Sequence, residues 1–165
     1  QDSLKRNLNM YVLAESTTGR LETASRALKD NLKIWLNRYR MVNDTVDILD
    51  AKVVNIGIDF ELVSEGENRF DVLEEATRTL RTELARQYFI GERFKITDVY
   101  SVLNSVRGVA DTSNVKIKVK SGGRYAQTGF NIANQMSADG RYISVPDNVA
   151  LEIKFPKSDI KGSIK

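Results

Sequence analysis

The sequence predicts an α+β domain of two layers, with three helices packed on one face of a mainly antiparallel or mixed sheet. Two stretches, Val54–Leu62 and Val115–Lys120, alternate apolar and polar residues strictly. That is the pattern of strands with one buried and one wet face. Strands of a doubly wound parallel sheet, covered on both sides, would instead read as continuous apolar runs. Three further stretches repeat apolar residues at gaps of three and four, the spacing of one-sided helices.

Taken in order, Leu8–Leu13 is a short strand-like run before the polar stretch Glu15–Gly19. Thr18 is read as the N-cap of a first helix, which carries Leu21, Ala24, Leu28, Leu32, Trp35, Leu36 and Tyr39 on one stripe. Arg26, Lys29, Asp30, Lys33 and Arg40 make its solvated side. Asn43-Asp44 breaks the pattern, and Val46–Asp50 forms a brief strand before the long alternating one. Ser64–Asn68 is a turn and cap for a second helix that presents Phe70, Leu73, Ala76, Leu80 and Leu84 inward, with Arg78, Arg81, Glu83 and Arg86 outward. Acid near its start and Arg near its end suit the helix dipole, and Gly91 is placed to stop it.

Thr97 is expected to cap a third helix holding Val99, Val102, Leu103 and Val106, with Gly108 as its left-handed stop. After the lysine-bearing strand, residues 121–138 lack periodicity. Asp139-Gly140 signals a hairpin turn, with Arg141–Val145 as its second arm. Val149–Phe155 reads as the last strand, stopped by Pro156. There is no internal repeat and no linker. The expectation is one structural domain over 1–165, or two tightly packed subdomains at about 1–50 and 51–165. Gln1 in the place of Met reads as a piece excised from a longer chain.

Composition narrows the chemistry more than any motif does. The chain has no Cys and no His. Thiolate nucleophiles, disulfides and Cys-based metal sites are therefore excluded, as is the side chain that most often serves as a general base near neutral pH. Lys plus Arg is 25 against 22 for Asp plus Glu, a mild and interspersed excess that permits nucleic-acid contact without arguing for it. No apolar run approaches the roughly 18 residues of a membrane span.

A few constellations of charged and aromatic residues remain as candidates for chemistry or binding. Asp147 with Glu152 and Lys154 has the letters of a metal-dependent nuclease core. Five extended steps separate the two carboxylates by roughly 16 Å and turn them to opposite faces, so the nuclease reading is rejected. Asp59 and Glu61 share a strand face about 6.6 Å apart, and the preferred reading is a wet sheet face complemented by the strand bearing Lys116, Lys118 and Lys120. Those lysines, with Arg124 and Tyr125, define the alternative function, a nucleic-acid-binding module with a basic stripe and one stacking aromatic. The plainer reading is that edge lysines discourage stray strand pairing. Trp35 and Tyr39, beside Arg40, are core at helical spacing unless the helix is only half covered; in that case they anchor a partner.

Several segments carry a resemblance. Residues 88–100 read Tyr-Phe-Ile-Gly-Glu-Arg-Phe-Lys-Ile-Thr-Asp-Val-Tyr, followed by Val106-Arg107-Gly108-Val109. A long helix running to Ile-Gly, a Thr-Asp start to a short helix, and Gly-Val leading into a strand resemble the phage baseplate J-like family. The strand Val54–Val63 and the helix Phe70–Gln87 stand in that family's order. The tail Val145–Pro156 is similar to the wedge proteins of T-even-like contractile-tailed phages. The resemblance spans roughly Leu8 to Gly162 and rests on the order of its motifs. It implies a C-terminal portion of a structural wedge subunit in the virion baseplate, touching its own copies and other wedge proteins around the hub. It implies no enzyme, cofactor, small-molecule substrate or membrane. From the residues themselves, the expected partner interface is Trp35, Tyr39, Arg40, Lys116, Lys118, Lys120, Arg124 and Tyr125.

Overall fold

Apolar alternation and apolar periodicity produce two unequal layers in the computed structural model, which describes residues 6–39, 44–66 and 68–165. The first layer opens with β1 (Arg6–Val12). A tight hairpin follows, β2 (Ala14–Glu15) with β3 (Leu21–Glu22), and then α1 (Arg26–Asn37) and β4 (Asp44–Asp50). β1 and β4 pair in parallel, with Leu8 opposite Val46 and Met10 opposite Ile48.

The first helix begins later than the sequence predicts. Ser16–Arg20 closes the hairpin, with Ser16 and Arg20 joined backbone to backbone at 2.8 Å and Gly19 at φ +75°. Leu21 therefore sits on a strand and Thr18 in a turn; their helical spacing to Ala24 is coincidental. The cap is Ser25, whose hydroxyl accepts from the Leu28 amide at 3.2 Å.

The second layer holds the core. β5 (Lys52–Ser64) leads into α2 (Arg69–Glu83), then β6 (Phe94–Lys95), α3 (Ile96–Asn104) and β7 (Val109–Lys120). The chain continues through α4 (Ile132–Gln135), β8 (Tyr142–Ile143), β9 (Val149–Glu152), α5 (Pro156–Asp159) and β10 (Ile160–Ile164). β5 is the spine. β7 pairs along one edge of it antiparallel, while β9 and β10 share its other edge in parallel, so the sheet is mixed. The alternating side chains Val54, Ile56, Ile58, Phe60 and Leu62 are all buried and meet Ala76 and Leu80 of α2 and Val99 and Leu103 of α3. Burial on this scale, about 25 cal/mol per Å² of apolar surface, is what holds the layer together.

The α+β class stands, but the finer architecture differs. Among the described residues there are five helices rather than three, and small two-stranded sheets accompany the main one. Two of the helices are single turns. α2 ends at Glu83, well before Gly91, which instead turns at φ +74° so that its amide reaches the Val149 carbonyl at 2.8 Å. Phe70, expected inside, is 84% exposed because it precedes the point where α2 meets the sheet. Thr97 lies within α3, and Lys95 holds its cap position. Pro156 does not end the ordered chain; it starts α5, which turns the backbone into β10.

Candidate functional site

The first layer has no core of its own. Not one residue of α1 is buried, nor is any described side chain of β1 or β4. A twelve-residue helix and a two-stranded parallel sheet are each marginal in isolation, and parallel sheets are normally covered on both faces. α1 lies against β4, where Lys29 pairs with Asp50 at 2.9 Å. The layer is tied to the main sheet by polar contacts. The Leu21 amide donates to Glu152 Oε1 at 2.9 Å, and Gln87 Nε2 donates to the Gly19 carbonyl at 3.1 Å. Arg20 lies over the Phe155 ring.

Leu28, Leu32 and Trp35 on α1 fall at gaps of four and three, which aligns them along one line, and Tyr39 in the turn after the helix lies four residues further on, its amide bonded to the Leu36 carbonyl at 3.0 Å. Leu32 is half-buried, while Leu28, Trp35 and Tyr39 are 50%, 54% and 72% exposed. The two rings stand 4.9 Å apart and tilted, a paired aromatic surface. Ile34 on the neighbouring line and Leu8 and Leu49 on the strands are also exposed. Trp35 and Tyr39 thus lie in the half-covered state the sequence left open, and Arg40 lies outside the described residues. Leu28 is expected on the stripe but not at the interface, and Ile34 is missed. Spacing marks a stripe but not whether anything covers it.

The lysine strand is a separate surface. β7 sets Lys116 opposite Asp59, Lys118 opposite Gly57 and Lys120 opposite Asn55. Lys118 Nζ bonds the Asp59 carboxylate. Glu61 is held by Lys165 at 2.9 Å and by the Ser113 hydroxyl at 2.9 Å, and these hydrogen bonds keep its carboxyl below the usual range. Lys120 is half-buried and lays its stem across Gly57, where a Cβ would stand 2.5 Å from Lys120 Cε. Only glycine leaves room for that crossing.

Tyr125 is not a free stacking platform. Its hydroxyl donates to the buried Asp159 at 2.5 Å, which raises the phenol's pKa, and its ring meets Phe155 edge-on. Arg124 is exposed, and its carbonyl accepts from Lys154. The seven described residues of the eight expected at one interface therefore divide between the end of α1 and the β7 region.

Asn55, expected on the wet face of β5, is buried, and so is Asp159, which the sequence pattern does not single out. Asn55 donates to Glu152 Oε2 at 2.8 Å and accepts from the Ala126 amide at 2.7 Å. Asp159 accepts from the Phe155 amide as well as from Tyr125. Together they clamp the loop after β7 onto the sheet. Glu152 is thereby committed to Leu21 and Asn55, while Asp147 is exposed elsewhere. No group of three or more Asp or Glu converges on a common point among the described residues. A hollow of about 740 Å³ is an open groove along α2 beside Pro156, and its Arg81 is spent on the carbonyls of Pro156, Lys157 and Ile160. No helix among the described residues is long and apolar enough to cross a membrane.

Compared with protein-family models and with curated proteins, the sequence matches none.

Proposed function

We propose that this chain is a structural assembly module, without catalysis, and that it serves as part of a contractile phage-tail baseplate wedge in the virion. The single observation that carries the assembly reading is the uncovered line of Leu28 and Trp35, on a helix with no buried residue, continued by Tyr39 in the turn after it. Aromatic side chains on a rigid helix are the preferred anchors of protein interfaces, because their large apolar area is desolvated at small entropic cost. A layer that cannot bury itself gains its missing burial from a partner. The wedge reading adds the resemblance of residues 54–63, 70–109 and 145–156 to the baseplate J-like family, which supplies the partners: further copies of the chain and other wedge proteins.

The nucleic-acid alternative is less well supported by the geometry. Asp59 and Glu61 run beside the lysines, and Tyr125 is spent on Asp159. A phosphate backbone laid there would meet a column of carboxylates.

Light scattering across a concentration series, alone and with wedge proteins added, tests the proposal. Association that is lost in Trp35→Ala/Tyr39→Ala supports it. A monomer at every concentration, indifferent to every wedge protein, would count decisively against it.

A further inference from the structure

The main sheet ends at β7. Among the described residues β7 pairs only with β5, and the turn bond from the Val109 amide to the Val106 carbonyl is its one backbone hydrogen bond outside that pairing. That edge is twelve residues long. Two features of β7 show what kind of strand would suit it. On the covered face, Val115, Ile117 and Val119 are only half-buried, whereas their β5 partners Phe60, Ile58 and Ile56 are at most 3% exposed. The apolar face of β7, touched by α3 and α4, is thus less fully covered than that of β5. On the wet face, Lys116, Lys118 and Lys120 repeat every second residue, about 6.6 Å apart.

The inner edge provides the precedent. There β5 brings apolar residues beside Val115, Ile117 and Val119, and it brings Asp59 beside Lys116 and Lys118. Lys116 forms no ion pair with a described residue, and Lys118 stays exposed beside its bond to Asp59, so cationic charge remains for a second flanking strand, whereas Lys120 leans inward across Gly57. A strand added outside β7 would stand about 4.8 Å away, with its alternate side chains beside the lysines.

We infer that the outer edge of β7 receives an extended acidic segment of a partner polypeptide, with Asp or Glu at alternate positions and apolar residues between them, by strand addition. Such a segment extends the sheet, covers the apolar flank of β7 and neutralises the exposed Lys116 and Lys118. The lysines then work selectively: they discourage neutral and basic strands from this edge and admit an acidic one. The inference is independent of α1, so either can fail while the other holds.

The test uses the full 165-residue chain and a fluorescein-labelled ten-residue peptide of alternating Glu and Val, with fluorescence anisotropy at low salt. Controls are alternating Lys and Val, a peptide with the same Glu and Val grouped in two blocks, and a charge-matched oligo(dT). The alternating Glu peptide is expected to bind about tenfold or more tightly than each control, and Lys116→Glu/Lys118→Glu is expected to weaken it by about tenfold or more. Hydrogen exchange on the unmutated chain should show alternate amides within 110–119 gaining protection on binding. Equal binding of the Lys peptide, equal binding of the grouped peptide, tighter binding of oligo(dT), or binding without new protection in β7 would each overturn the inference. So would no binding at all.

Discussion

Gly162→Ala is the substitution that most sharply probes how the second layer closes. Gly162 lies in β10 and pairs with Phe60 of β5 in parallel register. A Cβ at this position would stand 2.4 and 2.5 Å from Cζ and Cε2 of Phe60 and 2.8 Å from Leu73 Cδ1. Carbon atoms rest at about 3.5–4.0 Å, so the added methyl overlaps two core side chains by roughly 1 Å or more. Phe60 is 3% exposed and cannot swing into solvent. Either its ring leaves its preferred rotamer or β10 lifts away from β5. Overpacking of this kind costs about 1–3 kcal/mol, and the stiffer unfolded chain returns about 0.4–1 kcal/mol. A net loss of about 1–2 kcal/mol corresponds to a fall in Tm of about 2–8 °C for a chain of this size. Thermal and urea unfolding followed by circular dichroism would measure it, with Ser163→Ala, one residue on and exposed, expected to stay within about 0.5 kcal/mol of wild type. If Gly162→Ala were as stable as the wild type, β10 could not run where it is placed.

Other expected outcomes follow from single contacts. Arg81→Met should cost about 1.5–3 kcal/mol in urea unfolding, because the guanidinium donates to the carbonyls of Pro156, Lys157 and Ile160 and so holds α5 and β10 to α2; an unchanged midpoint would contradict this. Burial pushes the Tyr88 phenol from 10.0 up to about 12. Its folded pKa is the higher one, so the contribution is complete below pH 10 and is lost as pH rises towards 12; unfolding midpoints across that window should fall in the wild type and fall less in Tyr88→Phe. The Tyr88 hydroxyl has no protein partner among the described residues, so Tyr88→Phe at neutral pH should leave Tm unchanged or raise it. The Arg86 guanidinium, bonded at 2.7 Å, holds the Glu92 carboxyl below its usual range. This depressed pKa makes the pair a contribution that is present above the ordinary Glu pKa and fades as pH falls through the folded one. Acid titration of Arg86→Gln should therefore show a shallower loss of stability than the wild type.

The sequence displayed the second layer well and the first poorly, and the reason is physical. Val54–Leu62 alternates because one face is buried throughout, and the same alternation in Val115–Lys120 sets Lys116 opposite Asp59 in register and lets Lys118 bond it. Ile160–Ile164 showed no such signal. Its central Gly162 has no side chain to register a period, and its burial depends on the close approach of Phe60 and Leu73. Arg81 looked like a solvent-facing residue because charge patterning carries no information about which carbonyls pass nearby. In the first layer, Leu21 and Ala24 mimicked helical spacing across a hairpin, until Gly19 turned at φ +75° and Ser25 capped the real start. Periodicity found the stripe through Trp35 and Tyr39, but exposure is a property of what lies opposite, and that is not written in the helix.

Trp35 is the chain's only tryptophan, so its fluorescence reports the proposed docking stripe alone. In dilute solution the emission should be that of a half-exposed indole and open to acrylamide quenching. On concentrating the chain, or on adding a wedge protein, it should shift to the blue and become shielded. Emission and quenching that stay unchanged while light scattering records assembly would show that partners attach elsewhere, and the account of α1 would be wrong.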